Sequence, residues 1–301
     1  MLLIGFLQFQ IFWKNINLAR RADENMKNLN IDDIRRLNTI SQKVRKKCLE
    51  IAFKNNPKAT HFGGGMSTIE ILVFLFFQVL NYKVESPHCI DRDRFFLSKG
   101  HSVLGYYSVL HLAGYLSEID LETYGANNTI IPGHPVMNKQ KGIEFTNGSL
   151  GMGLSVALGH SIAIKKLNLN ADCFVLMGDG ECNEGSVWEA LMAAPHFNIG
   201  NLTAIIDRNR LQQTGSGDVV MDLEPLGTKL RAFGWEVFEV DGHDFPQLAS
   251  AFEMRNTNLP TAIIANTIKG KGFSFSENNN AFHHGVITKK LFDQGLQELE
   301  N

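Results

Sequence analysis

The sequence has few of the features that would pin a fold covalently or tie it to a charged partner. Its four cysteines, Cys48, Cys89, Cys173 and Cys182, form no CxxC pair and no zinc-like spacing. That excludes a disulfide scaffold and a cysteine-rich metal module, and a reducing, cytoplasmic setting is expected. The formal net charge is -2 and no long basic run occurs, so the footprint of a nucleic-acid-binding protein is missing. Small molecules and other proteins are the expected partners. No apolar run is long enough to span a bilayer. The opening Met1-Leu2-Leu3-Ile4-Gly5-Phe6-Leu7 continues apolar, with interruptions, only to Trp13, and no basic residues precede it as they would in a signal peptide. Residues 1–25 are expected to be a non-native or disordered upstream extension, with a membrane anchor as the alternative. Residues 26–301 are expected to form a single domain with a helical N-terminal part.

What is present suits a large core, with 44% hydrophobic and 20% charged residues in 301. From Ile31 to Asn55 apolar residues recur every three or four positions (Ile34, Leu37, Ile40, Val44, Cys48, Ile51), which predicts an amphipathic helix ended by Pro57. Thr68 to Leu80 is apolar almost all round and predicts a buried helix capped by Ser67 or Thr68. Ser102 to Ala113 and Gly151 to Leu167 also read as helices. The second half carries short strand-like runs at Cys173-Phe174-Val175-Leu176-Met177, Leu202-Thr203-Ala204-Ile205-Ile206, Trp235 to Val240 and Thr261-Ala262-Ile263-Ile264-Ala265, separated by helical stretches. Such alternation predicts an α/β fold, a mostly parallel sheet with helices on both faces.

In sheets of this kind ligands bind beyond the carboxyl ends of the strands. Those ends read Gly178-Asp179-Gly180, Asp207-Arg208-Asn209, Asp241-Gly242-His243-Asp244 and Asn266-Thr267-Ile268-Lys269-Gly270. Gly178 and Gly180 allow the backbone to turn sharply and its amides to approach an anion. A carboxylate at Asp179 would repel a phosphate there unless a cation stood between them. A hard divalent ion, Mg2+ or Ca2+, resolves the conflict, with Asn209 as a neutral oxygen donor. Cys182, inside the same segment, has no histidine near it in sequence and reads as a small turn residue rather than a nucleophile. Three of the ten histidines stand on turns that could present an imidazole to a ligand: Thr60-His61-Phe62-Gly63-Gly64-Gly65, Ser98-Lys99-Gly100-His101-Ser102 and Pro132-Gly133-His134-Pro135. Lys269 and Lys271, in a KGKG turn, either lend charge to the same cleft or lie in a solvated loop. The segment Gly148-Ser149-Leu150-Gly151-Met152-Gly153 lacks the preceding strand and the acidic partner of a dinucleotide fingerprint.

The run Gly178-Asp179-Gly180-Glu181-Cys182-Asn183-Glu184-Gly185-Ser186-Val187-Trp188-Glu189-Ala190, followed by Asp207-Arg208-Asn209, resembles the thiamine-diphosphate signature in its transketolase form. The resemblance implies a thiamine-diphosphate-binding fold. It implies metal ligation by Asp179, Asn209 and the carbonyl of Leu211, and cofactor contacts from His101, Gly148, Leu150 and the Gly178-Asp179-Gly180 turn. His61 and His134 are implied to line the substrate channel. A further family histidine matches His283 in Ala281-Phe282-His283-His284-Gly285, with His284 as the alternative register; there the resemblance implies both cofactor contact and a catalytic role. Glu184 is implied to lie at a subunit interface, coupled to a catalytic glutamate of the partner. The family usually has Gly before the first histidine and Pro after it, where this chain has Thr60 and Phe62, so an altered acceptor pocket is expected. His88, His111, His160, His196 and His243 are read as structural, although the Asp241-Gly242-His243-Asp244 turn also recurs in the family.

The resemblance covers nearly the whole chain from about residue 30, yet only the first half of a full-length transketolase. The glutamate that activates the cofactor and the pocket for its pyrimidine belong to the other half. The expectation is therefore transfer of a two-carbon ketol unit from a ketose to an aldose, by a subunit that needs a C-terminal, pyrimidine-binding partner, in an α2β2 assembly or, alternatively, a heterodimer. Sugars or sugar phosphates are the expected substrates. The alternatives are a subunit of another thiamine-diphosphate enzyme, of the deoxyxylulose-phosphate synthase or 2-oxo acid dehydrogenase kind, and a non-catalytic relic that binds a partner.

Overall fold

The computed structural model describes residues 29–300, so the expected extension over residues 1–25 lies outside the described residues. Helix α1 (Ile31–Lys54) opens on Asn30, whose side chain accepts from the amides of Asp32 and Asp33 while Asp33 returns the bond, a reciprocal cap. Helices α2 (Phe62–Met66) and α3 (Ile69–Phe74) follow, and a wider π turn at Leu75–Val79 carries α3 on to Leu80. The apolar run from Thr68 thus becomes helix, as its composition predicts. All of α2 and α3 is buried.

The remaining elements are β1 (Arg94–Leu97), α4 (Val103–Leu112), α5 (Glu118–Glu122), α6 (Met152–Lys166), β2 (Cys173–Gly178), α7 (Gly185–His196), β3 (Leu202–Arg208), α8 (Gly217–Val220), α9 (Leu226–Ala232), β4 (Glu236–Asp241), α10 (Phe245–Glu253), β5 (Thr261–Asn266) and α11 (Lys289–Glu300). The strands form one sheet in the order β1-β2-β3-β5-β4, and every pairing is parallel. The four strands expected from the sequence are present. The fifth, β1, was hidden in a four-residue run that begins with Arg94 and follows a charged stretch.

Continuous apolar strands are needed because helices cover both faces. Alternate residues of β2 divide cleanly: Phe174 and Leu176 join the core with α1, α3, α4 and α10, whereas Cys173, Val175 and Met177 join the core with α6, α7 and α9. The register Leu97, Leu176, Ile205, Ile263, Phe238 runs across all five strands on the first face. The row beside it, Phe96, Val175, Ala204, Ala262, Val237, faces the second. Each large side chain fully removed from water in these rows contributes about 1.5–3 kcal/mol. Among the described residues no helix is long and apolar enough to cross a membrane.

The topology also makes a crevice. After β2 and β3 the chain passes to α7 and α9 on one face; after β1 and β4 it passes to α4 and α10 on the other. Neighbouring strands whose connections leave in opposite directions open a cleft at their carboxyl ends. Helix α2 lies over that cleft because its glycines permit close approach. A Cβ on Gly105 of α4 would stand 2.7 Å from the carbonyl oxygen of Gly65, and one on Gly64 would stand 2.9 Å from Cδ2 of His101.

Candidate active site

Four of the five strands deliver polar groups from their carboxyl ends to one place. Asp179 follows β2, and its carboxylate accepts from the amides of Gly180 at 2.8 Å and Arg210 at 2.6 Å. Arg210 lies between Asn209 and Leu211 in the left-handed backbone region at φ +61°, so the bond brings Asp179 against the two other expected metal donors. Asn209 accepts from the Leu211 amide through Oδ1 at 3.0 Å and donates through Nδ2 to Asp207 at 3.0 Å. Its oxygen is thereby oriented by a neighbouring carboxylate, as supporting shells around metal sites commonly do.

Asp207 and Lys99 form a buried ion pair at the centre of the sheet's carboxyl edge; Lys99 is 1% exposed and Asp207 is fully buried. Ser67 donates to Asp207 at 2.7 Å, and Thr267 donates to its other oxygen. Burial alone would raise the Asp207 pKa, but the Lys99 ammonium and these hydrogen bonds outweigh it and hold the carboxyl below its ordinary range. Burial, and then the charge of Asp207, push Asp179 upward. Three buried carboxyl groups, of Asp179, Asp207 and Glu181, face two ammoniums, of Lys99 and Lys269, so the site carries less positive than potential negative charge, the condition a divalent cation relieves.

Glu181 ties the glycine-rich loop before α6 to the strand ends. Its carboxylate accepts from the amides of Gly151 at 2.8 Å and Gly178 at 3.1 Å and from the Ser98 hydroxyl. Asn147 clamps the other end of that loop, donating to the carbonyls of Leu97 and Ser98. Gly148 has nothing within 4 Å of where a Cβ would be, and its backbone stays open. Glu184 holds the N-cap position of α7, exposed and without a side-chain capping bond, with its Cβ close to Gly151.

The histidines converge on His61. Its ring centroid stands 5.8 Å from that of His101, 5.4 Å from His134, 5.6 Å from His283 and 4.5 Å from His284, while His101 and His283 stack at 5.4 Å. An antiparallel bridge between Thr60 and Gly285, with bonds of 2.8 and 2.9 Å, joins the two segments that carry His61 and the His283-His284 pair. His283 faces His101 and accepts from Lys269 Nζ through Nδ1 at 2.9 Å, so its proton sits on Nε2. His284 is exposed and faces His61. Burial, then the neighbouring His284, lower His61 to about 4; burial, then Lys269, lower His283 to about 3. Burial also lowers His134 and holds His101 well below its ordinary value. These four imidazoles are neutral at neutral pH, each with one N–H and one lone pair.

Lys269 connects the two clusters. It is 2% exposed, and besides His283 it donates to the carbonyls of Leu211 at 3.0 Å and Gln212 at 3.3 Å. Of the two readings of the KGKG turn, Lys269 follows the first, and Lys271 pairs with Glu277 at 3.6 Å outside the cleft. Phe62 points away from the cleft. It is fully buried against Phe273, Phe275 and Phe282 and packs under the loop that carries His283. Sequence reasoning gave no role to Lys99, Asp207 or Glu181. The available signal was a charged residue directly at the end of an apolar strand run.

A parallel sheet with a glycine-flanked carboxylate, an adjacent asparagine and a wall of neutral imidazoles at its carboxyl edge defines a diphosphate-binding α/β domain. Residues 39–295 match the family model described as transketolase, thiamine diphosphate binding domain. An apulose-4-phosphate transketolase subunit from Phocaeicola vulgatus is 40% identical over 261 residues, covering 86% of this chain and 92% of its own length. The 6-deoxy-6-sulfo-D-fructose transketolase subunit of a Clostridium species is 39% identical, covering 80% and 88%. Among solved structures, transketolase from Leishmania mexicana superposes with a TM-score of 0.83 at 28% identity, covering 88% of this chain and 41% of that one. The chain belongs to the transketolase family and carries its thiamine-diphosphate-binding domain. Its enzyme class is that of a transketolase-type transferase.

Proposed function

We propose that the chain is the diphosphate-binding subunit of a two-subunit transketolase that moves a two-carbon ketol unit from a ketose to an aldose. The observation that carries this reading is Lys269, whose ammonium joins the neutral histidine wall to the Asp179, Asn209 and Leu211 cluster in one cleft. Asp179 Oδ, Asn209 Oδ1 and the Leu211 carbonyl would hold Mg2+ or Ca2+, and the fit rests on hard oxygen donors beside an excess of buried negative charge. The Leu211 carbonyl now accepts from Lys269, so an ion bound there would have to share that oxygen with the ammonium or displace it. Thiamine diphosphate, when bound, supplies the carbon nucleophile and electron sink for the transfer.

The protein's own part is to bind, orient and move protons. His101 and His283 would contact the diphosphate, Gly148 and Leu150 would add cofactor contacts from the loop before α6, and Glu184 would meet the partner subunit. His61 and His134, neutral and half-buried, can each donate to one sugar oxygen and accept a proton from a hydroxyl. His284 extends that surface toward the mouth. A sugar or sugar phosphate is the proposed substrate, in keeping with relatives named for apulose 4-phosphate and a sulfofructose. Those relatives are also named as subunits, which supports a separate partner subunit; that the partner binds the pyrimidine, that the two form an α2β2 enzyme and that it works in the cytoplasm are part of the proposal.

Purified chain should show no glycolaldehyde transfer from a ketose donor until the pyrimidine-binding partner is added; full activity of the chain alone would overturn the two-subunit reading. Calorimetry should detect Mg2+-dependent binding of thiamine diphosphate that Asp179→Ala abolishes. Unchanged binding in that variant would remove the proposed metal site.

A further inference from the structure

His243, at the turn after β4, is neither a surface residue nor part of the histidine wall. Its Nε2 accepts from the amide of Ile268 at 2.9 Å, so its proton is on Nδ1, which donates to Glu70 at 2.8 Å. Glu70, 5% exposed on α3, also pairs with Arg45 of α1 at 2.6 Å. Arg45 in turn donates through Nε to the carbonyl of Lys271 at 3.2 Å. The chain of contacts therefore leaves the loop after β5 at Ile268 and returns to it at Lys271. The two anchor points bracket Lys269 and Gly270, and the Gly270 amide is held by the Gly63 carbonyl at 3.0 Å. A buried ion pair adds little net stability, because desolvating its charges offsets most of their attraction, so what this network fixes is geometry at its two anchor points. Of the loop side chains bracketed by the two anchors, Lys269 is the one that reaches the cleft.

We propose that Arg45, Glu70 and His243 form a positioning relay that fixes the loop carrying Lys269, and so sets the affinity of the cleft for the diphosphate of the cofactor. The inference rests on the cofactor reading above. His243 acts through Lys269 and is a positioning residue. The decisive contact is the acceptor that Nε2 offers to the Ile268 amide.

The test is calorimetric titration of Mg2+ with thiamine diphosphate into the chain assembled with its pyrimidine-binding partner. Wild-type binding must be seen first, and its absence would overturn the cofactor reading and the relay together. Given wild-type binding, His243→Ala should weaken it about tenfold, the scale of lost supporting contacts around a bound ion. His243→Gln, whose side-chain carbonyl can replace Nε2 as acceptor, should restore most of the loss, whereas His243→Asn, which keeps only the donor to Glu70, should not. In a Lys269→Met background, His243→Ala should cost less than about twofold more, because the two changes then remove the same interaction. Wild-type affinity in His243→Ala overturns the relay while leaving the cofactor reading intact. So do penalties that multiply undiminished in the double variant, or equal affinities of the Gln and Asn variants. The Gln and Asn comparison decides the matter if the Ala variant does not fold.

Discussion

Lys99 and Asp207 meet under the cleft with almost no access to water, and Asp207 also receives Ser67, Thr267 and Asn209. Replacing one partner of such a pair leaves an uncompensated buried charge, which costs about 3–5 kcal/mol. Lys99→Met should lower stability in urea unfolding by that amount, and a second change of Asp207 to Leu should recover part of it. Alongside His101, His134 and His283, His61 contributes part of the pH dependence. Its folded pKa of about 4 lies below the ordinary 6.5, so the unfolded chain binds the extra proton first as the solution is acidified. The stability associated with neutral His61 is complete above pH 6.5 and is lost as pH falls from 6.5 through 4. His61→Gln should therefore flatten the loss of unfolding midpoint over that window, leaving the midpoint near pH 7.5 less affected.

At the level of elements, the cleft depends on how closely α2 lies on α4. The glycines of Phe62–Met66 and Gly105 permit that approach, and nothing in hydrophobic periodicity announces it, since a glycine has no side chain to contribute to a pattern. Gly105→Ala places a methyl group 2.7 Å from a backbone oxygen that cannot rotate away. The variant should lose about 1–3 kcal/mol by overpacking, and the shift of α2 should weaken cofactor binding by calorimetry. Helix α1 was legible because its apolar residues repeat over several turns, and α3 because its run is apolar almost all round. Strand β1 was not, since Arg94-Phe95-Phe96-Leu97 is too short to show any period and gains its identity only by pairing with Cys173 to Leu176.

For the molecule as a whole, a ligand that binds only the folded state must stabilise it by mass action. Thiamine diphosphate with Mg2+, at one hundred times its dissociation constant, should add about 2.7 kcal/mol and raise the thermal midpoint, and neither the cofactor without metal nor the Asp179→Ala chain should respond as strongly. The sequence by itself determined the class of fold, since strands buried on both faces must be continuously apolar. It also determined the Asp179 and Asn209 pair, because residues at the ends of consecutive strands fall side by side once the strands pair in parallel. Tertiary structure alone decided that Lys269 and not Lys271 enters the cleft, that Phe62 serves the core, and that His61 gathers four other rings. Those outcomes depend on contacts between segments as far apart as Thr60 and Gly285. No local pattern records such contacts, because they exist only after the sheet and its glycine-lined helices have closed around the site.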